Sequence, residues 1–227
     1  MIDKASQWAS VFADAKHGHI LWDGTAENPT DPKLAYLTAV KFVEHAEYLG
    51  FFKPGNKVLD LGCGNGRFAT VLCERDVLYF GIDPCKGSID FCKSVFSIYN
   101  NVRFAFSDIW NEVFNPTGSV TAENYKLPFP DNSLDDVIVY SVFTHLQTLP
   151  AAQNYAREVR RVMKPGGKLF CTWYRSPPNP ATNYVGRTCY HEHEIMNMLS
   201  GLQFDHTYGG HNSEFYDQWC LFCTKTQ

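Results

Sequence analysis

Lys57-Val58-Leu59-Asp60-Leu61-Gly62-Cys63-Gly64-Asn65-Gly66 reads as a short apolar strand running into a glycine-rich turn. Glycines at 62, 64 and 66 permit a tight turn and let a ligand approach the backbone closely. Lys53-Pro54-Gly55-Asn56, just upstream, is a turn signal. Downstream, Arg67 to Leu72 predicts a helix, whose N-terminus would favour a negatively charged group. The spacing is not the G-x-G-x-x-G of dinucleotide-binding loops, because Arg67 stands after Gly66.

Working outward, apolar runs alternate with helical patterns. The first 30 or so residues read as irregular, rich in Trp, His and Gly. Asp31-Pro32 opens a helix, with Asp31 as N-cap. Leu34, Leu37, Val40, Phe42, Val43 and Ala46 give it helical spacing, and Gly50 is its stop. Strands are predicted at 57–61, 77–82, 102–106, 136–140, 168–173, 202–208 and 218–224, the last two as an antiparallel pair. Helices are predicted at 84–96, 150–163 and 191–199, with Pro165-Gly166-Gly167 stopping the second. Such alternation implies an α/β fold, a doubly wound, mostly parallel sheet covered on both faces. Ligands of these sheets bind beyond the carboxyl ends of the strands. Asp60, Asp83, Asp108 and Ser141 end four of the predicted strands and are expected to converge there. The expected organisation is a single domain over 1–227, with residues 1–52 a helical cap or lid and 53–227 the core.

Composition narrows the function. The 227 residues are 44% hydrophobic and carry a net charge of −4. That balance argues against nucleic acid, whose binders draw affinity from neutralising phosphates with basic residues. No stretch approaches the roughly 20 apolar residues of a membrane span, so no membrane is expected as a partner. The opening residues MIDKASQWASVFADAK lack the apolar segment of a secretory signal. Eight scattered cysteines therefore read as buried small hydrophobes of a cytoplasmic protein. Cys220 and Cys223 have metal-knuckle spacing, but on a strand they face opposite sides. Cys189, His191, His193 and Glu194 form a polar cluster read as a helix start rather than a zinc site. No metal is expected.

Five ordered stretches carry a resemblance. VLDLGCGNG at 58–66, GIDP at 81–84, SDI at 107–109, LPFPDNSLDDVIVYSVFTHL at 127–146 and EVRRVMKPGGKLFCTW at 158–173 are similar to the motifs of class I S-adenosylmethionine-dependent methyltransferases. The likeness covers residues 53–175 well. It implies a seven-stranded sheet with an antiparallel last strand, and S-adenosyl-L-methionine as cofactor and methyl donor. It implies that Asp60 and the backbone at Gly62 and Gly64 hold the methionine end, with Cys63 and Gly66 in the same loop. Arg67 either meets the methionine carboxylate or is a solvated helix residue. Asp83, followed by Pro84, binds the ribose hydroxyls or caps the next helix. Asp108 would meet the adenine amine, and Ile109 would offer its amide and apolar contact. Ser141 would present its carbonyl to the methionine amino group. One departure stands out: an insertion near 110–120, with an Asn-Pro-x-Gly turn, follows Asp108.

For the acceptor, a small molecule methylated at a hydroxyl is expected, in a sugar or natural-product intermediate. An alcohol must lose a proton, and His145, just past the fourth strand, is the candidate general base or substrate contact; a packing histidine is the alternative. The strand ends in Tyr140-Ser141-Val142-Phe143, unlike the signature of enzymes that methylate DNA base amines. Trp8, Trp22, Trp173, Tyr174 and Tyr184 are either pocket walls or core, and His17, His19 and Trp22 belong to the candidate lid. Rival readings are transfer to nitrogen or sulfur, a cofactor-binding subunit without activity, and a dehydrogenase, the last disfavoured by the glycine spacing. The oligomeric state is open.

Overall fold

The computed structural model describes residues 3–13, 32–175, 188–208 and 219–226. Two compact units divide the chain, Met1–Ser107 and Asp108–Gln227. In the first, α1 (Lys4–Ala13) and α2 (Pro32–Tyr48) precede β1 (Lys57–Leu61), α3 (Ala69–Leu72), β2 (Leu78–Asp83), α4 (Lys86–Val95) and β3 (Val102–Phe106). The strands are all parallel, in the order β3-β2-β1, with Asp60 level with Gly81 and Gly81 level with Phe104. The β1 and β3 bounds coincide with those read from sequence.

The irregular reading of the N-terminus is corrected over residues 4–13. Ala5, Trp8 and Phe12 recur at helical spacing and are buried, so one face of α1 packs apolar side chains inward. Trp8 is core rather than a pocket wall: it stacks on Phe96 at 5.3 Å between centroids, and Phe12 lies 6.1 Å from Phe91. His17, His19 and Trp22 lie outside the described residues. In α2 the buried stripe consists of Ala35, Thr38, Ala39, Val43 and Ala46, while Leu34 and Leu37 are exposed. Small residues let α2 pack closely on α1 and α3; the larger leucines fall one position off that stripe. Gly50 stops the helix as expected, at φ 84°, with the Phe51 amide donating to the Ala46 carbonyl.

In the second unit β4 (Leu134–Val139) is followed by a 3₁₀ turn (Phe143–His145), α5 (Leu149–Val162), β5 (Met163–Arg175), β6 (Cys189–Tyr190), α6 (Glu192–Met198), β7 (Leu202–Tyr208) and β8 (Trp219–Lys225). β4 is parallel to β5. β8 is antiparallel to both β5 and β7 and lies between them, the inserted last strand that the family resemblance implies. The two-residue β6, absent from the sequence reading, pairs with the end of β5. Pro165-Gly166-Gly167 is not the expected helix stop: α5 ends at Val162 and β5 begins at Met163. These residues lie within β5, where the register jumps from Leu134↔Met163 to Asp136↔Lys168, a bulge that absorbs the unpaired residues. Trp173 is core, stacked on Phe143 at 3.7 Å and edge-on to Tyr190 at 5.4 Å. Tyr174 is buried too; Tyr184 lies outside the described residues. Cys171, Cys220 and Cys223 are buried free thiols whose burial pushes their ionisation upward, consistent with cysteine used as a small hydrophobe.

One polar network ties two sequence motifs together. Glu158, nearly buried on α5, accepts from the Leu127 amide at 2.8 Å and from Arg161 at 2.7 Å. Arg161 in turn donates to the carbonyls of Leu127 and Phe129 and to Asp131. The loop before β4 is thus clamped onto α5. Removing one partner of a desolvated pair strands the other. Glu158→Ala is therefore expected to cost about 2–4 kcal/mol in urea unfolding, against less than about 1 kcal/mol for the exposed Lys86–Asp90 pair. Equal losses would show that the clamp has no special role.

Candidate cofactor site

The glycine turn departs from β1 with Gly62, Gly64 and Gly66 all left-handed, at φ 79°, 52° and 83°. An L side chain at these angles is strained, which is why glycine recurs. At Gly66 there is also no room: a Cβ would lie 2.9 Å from the Phe96 ring. The amides of Gly62 and Cys63 both donate to the Ile82 carbonyl, at 2.8 and 3.1 Å, so the turn is sewn to the end of β2. The helix expected from Arg67 begins only at Ala69 and lasts four residues. Arg67 therefore belongs to the turn, and so short a helix leaves the backbone amides and side chains, rather than a dipole, to set the ligand preference.

Asp83 ends β2 and is almost buried. Its carboxylate accepts from the Gly64 amide at 2.8 Å and the Cys85 amide at 2.7 Å, one oxygen each. Asp83 is not the cap of α4, whose N-cap is Cys85 without a side-chain cap bond; its two oxygens tie the Cys85 amide, just past Pro84, to the glycine turn. Each carboxylate oxygen keeps a second lone pair, so two further donors, such as a vicinal diol, are accommodated. Asp60, buried on β1, accepts from the Tyr79 hydroxyl at 2.5 Å. Sequence reasoning missed Tyr79. Nothing in the linear order marks it: the sheet register sets Tyr79 level with Val58, two residues before Asp60. Asn65 was also missed as a contact: it is buried, and both atoms of its amide lack a hydrogen-bond partner. A buried amide left unsatisfied costs about 1–3 kcal/mol per group, so a polar ligand is the natural complement.

Burial drives both acids upward, Asp60 to about 7 and Asp83 to about 6, with the Tyr79 hydrogen bond and the Gly64 and Cys85 amides opposing. An unfolded Asp ionises near 3.8. Between about pH 4 and 7 the folded chain therefore holds protons that the unfolded chain releases, and these two groups lower ligand-free stability as pH rises through that window. Asp60→Asn should flatten the effect: the melting-temperature gap, variant minus wild type, grows from pH 4.5 to 7.5. A gap that shrinks over that range contradicts the burial assignment.

In the second unit, Asp108 is exposed and accepts from Ser119 Oγ at 2.5 Å and Asn115 Nδ2 at 3.4 Å, which hold it below the usual carboxylate range. Ile109 is buried. Ser141, past the end of β4, has a left-handed φ of 59°, a conformation costing a non-glycine residue about 1–3 kcal/mol. Thr172 Oγ1 accepts its amide at 2.7 Å, and its carbonyl accepts from Thr144 Oγ1 at 2.8 Å. His145 closes the 3₁₀ turn, with the Phe114 ring edge-on at 5.2 Å. The turn is braced by the Tyr190 hydroxyl, which donates to the Phe143 and Leu146 carbonyls at 3.1 Å. His191 and Glu194 do sit at a helix start: Glu194 Oε2 accepts the His191 amide at 2.8 Å.

The methyltransferase-domain family model matches residues 59–171. Phosphoethanolamine N-methyltransferase 1 of Arabidopsis thaliana is 31% identical over 165 residues, 70% of this chain and 29% of that protein. Probable tRNA methyltransferase 9B of Mus musculus is 26% identical over 160 residues, 70% of this chain and 30% of that protein. The chain thus spans less than a third of the length of either relative. Among solved structures, magnesium protoporphyrin IX methyltransferase of Synechocystis, with bound SAH, superposes with a TM-score of 0.62 at 16% identity, covering 97% of this chain and 94% of that one.

Proposed function

Because this chain belongs to the class I S-adenosylmethionine-dependent methyltransferases, we propose that it transfers a methyl group from S-adenosylmethionine to a hydroxyl of a small molecule. The observation that carries the cofactor assignment is the glycine turn itself. It joins two buried carboxylates, Asp60 and Asp83, to the unpartnered amide of Asn65. The residues fit an adenosyl amino acid: Asp83 takes the ribose diol, and Asp60 with the turn at Gly62, Cys63, Gly64 and Gly66 takes the methionine end. On the family resemblance, Arg67 is assigned to the methionine carboxylate and, in the second unit, Ser141 to the amino group through its carbonyl and Asp108 with Ile109 to the adenine.

When bound, the cofactor supplies a methyl group already activated by its sulfonium. The remaining work falls to positioning and proton removal. His145 is assigned the proton of the acceptor hydroxyl, its turn held by Tyr190, Thr144 and Phe114. The net charge of −4 supports a small acceptor over nucleic acid. Transfer to nitrogen is the second reading, favoured by the relative named for phosphoethanolamine N-methylation.

The test is transfer of tritiated methyl from the cofactor into fractionated cell extract. Label in the small-molecule fraction, located on oxygen by mass spectrometry, is expected. Label on nitrogen establishes the second reading. Label confined to RNA, or cofactor binding without any transfer, overturns the proposal.

A further inference from the structure

The insertion after Asp108 folds back on it tightly. The Trp110 amide donates to the Val120 carbonyl at 2.7 Å and the Val120 amide to the Asp108 carbonyl at 3.1 Å. Asn111 and Asn115 exchange backbone hydrogen bonds at 3.0 Å. At Gly118 the two backbones meet: a Cβ there would stand 2.4 Å from the Ile109 carbonyl carbon and the Trp110 nitrogen, so only glycine permits the approach. This closure delivers Ser119 Oγ to one Asp108 oxygen at 2.5 Å. Asn115 Nδ2 comes to the other at 3.4 Å while also donating to the Ile109 carbonyl at 3.0 Å. Both groups act as donors, so Asp108 is kept as an acceptor of fixed orientation. Of the roughly four acceptor positions of a carboxylate, two are used and two stay open on an exposed group.

We propose that Ser119 and Asn115 are positioning residues that fix Asp108 as a hydrogen-bond acceptor and so make the base site selective for a 6-amino purine over a 6-oxo purine. The inference rests on the reading of Asp108 as the adenine contact. A 6-amino group donates to such a carboxylate. A 6-oxo group presents a second acceptor to it, and like dipoles repel. The Ser119 and Asn115 hydrogen bonds both go to the ionised carboxylate, and they hold Asp108 below the usual carboxylate range. The sequence marks the device only as an Asn-Pro-x-Gly turn at 115–118; that its side chains return to Asp108 is visible only in the folded chain.

The experiment compares S-adenosylhomocysteine with S-inosylhomocysteine by calorimetry on the full chain. Wild type is expected to prefer the adenosyl compound by about 100-fold or more. Ser119→Ala should reduce that ratio about tenfold, and Ser119→Thr, which keeps the hydroxyl, should restore it. Ser119 is exposed, so its removal leaves the melting temperature nearly unchanged, and a purely structural role would weaken both ligands equally. Asp108→Ala separates the two levels. If Asp108→Ala collapses the ratio and Ser119→Ala leaves it intact, the positioning role is overturned. If wild type shows no preference, or Asp108→Ala leaves the ratio unchanged, the adenine reading itself fails.

Discussion

Asp83→Ala is expected to weaken binding of S-adenosylhomocysteine by about 100-fold or more. The ribose diol of an adenosyl ligand would donate two hydrogen bonds to this carboxylate, and bonds to a charged group contribute about 1.5–3 kcal/mol each. The loss also reaches the turn, because the Gly64 and Cys85 amides lose the acceptor that now holds them at 2.8 and 2.7 Å. Calorimetry with the demethylated cofactor reads the first effect and thermal melting the second. If Asp83 served only to tie the Cys85 amide to the glycine turn, melting would shift while affinity fell less than about fivefold. That outcome removes the ribose assignment. Asp83→Asn separates the two further, since its amide keeps one acceptor oxygen but sets two donors against backbone donors.

His145→Ala is expected to lower kcat by about 10²–10⁴-fold, the usual contribution of a positioned general base, with the dissociation constant for S-adenosylhomocysteine unchanged within about twofold. The wild-type rate should climb with pH as the imidazole loses its proton, and the variant should lose that limb. Equal loss of turnover and cofactor affinity would mean that His145 holds its turn together. The fold argues against that outcome. The turn is anchored independently, by the Tyr190 hydroxyl on two carbonyls, the Thr144 hydroxyl on Ser141 and the stack of Phe143 on Trp173. A rate that is flat from pH 6 to 8 and insensitive to the substitution favours a nitrogen or sulfur nucleophile, which needs no base of this kind.

The legible parts of this chain are those where one local signal suffices. Lys57–Leu61, Val102–Phe106 and Leu202–Tyr208 were readable to the residue because short apolar or alternating runs bounded by turn residues leave few other conformations open. Less legible was α1, although Ala5, Trp8 and Phe12 carry its signal; the surrounding Trp, His and Gly masked a period that spans only ten residues. The buried stripe of α2 was misjudged because Leu34 and Leu37 look like core, whereas the helix packs through its alanines.

Asp60, the glycine turn and Asp83 stand out in the linear order because each lies at or just past the carboxyl end of a strand, where ligands of α/β sheets bind. Their state is another matter. That Tyr79 reaches Asp60, that Asn65 is buried without a partner, and that burial lifts two carboxylates towards neutrality depend on which side chains the sheet register brings together. The same holds for Glu158 with Leu127 and Ser119 with Asp108, pairs 31 and 11 residues apart. Local order along the chain follows from backbone sterics and hydrophobic period, which neighbouring residues encode. Hydrogen-bond partners and proton affinities follow from desolvation and from contacts between distant segments, and these exist once the chain has folded.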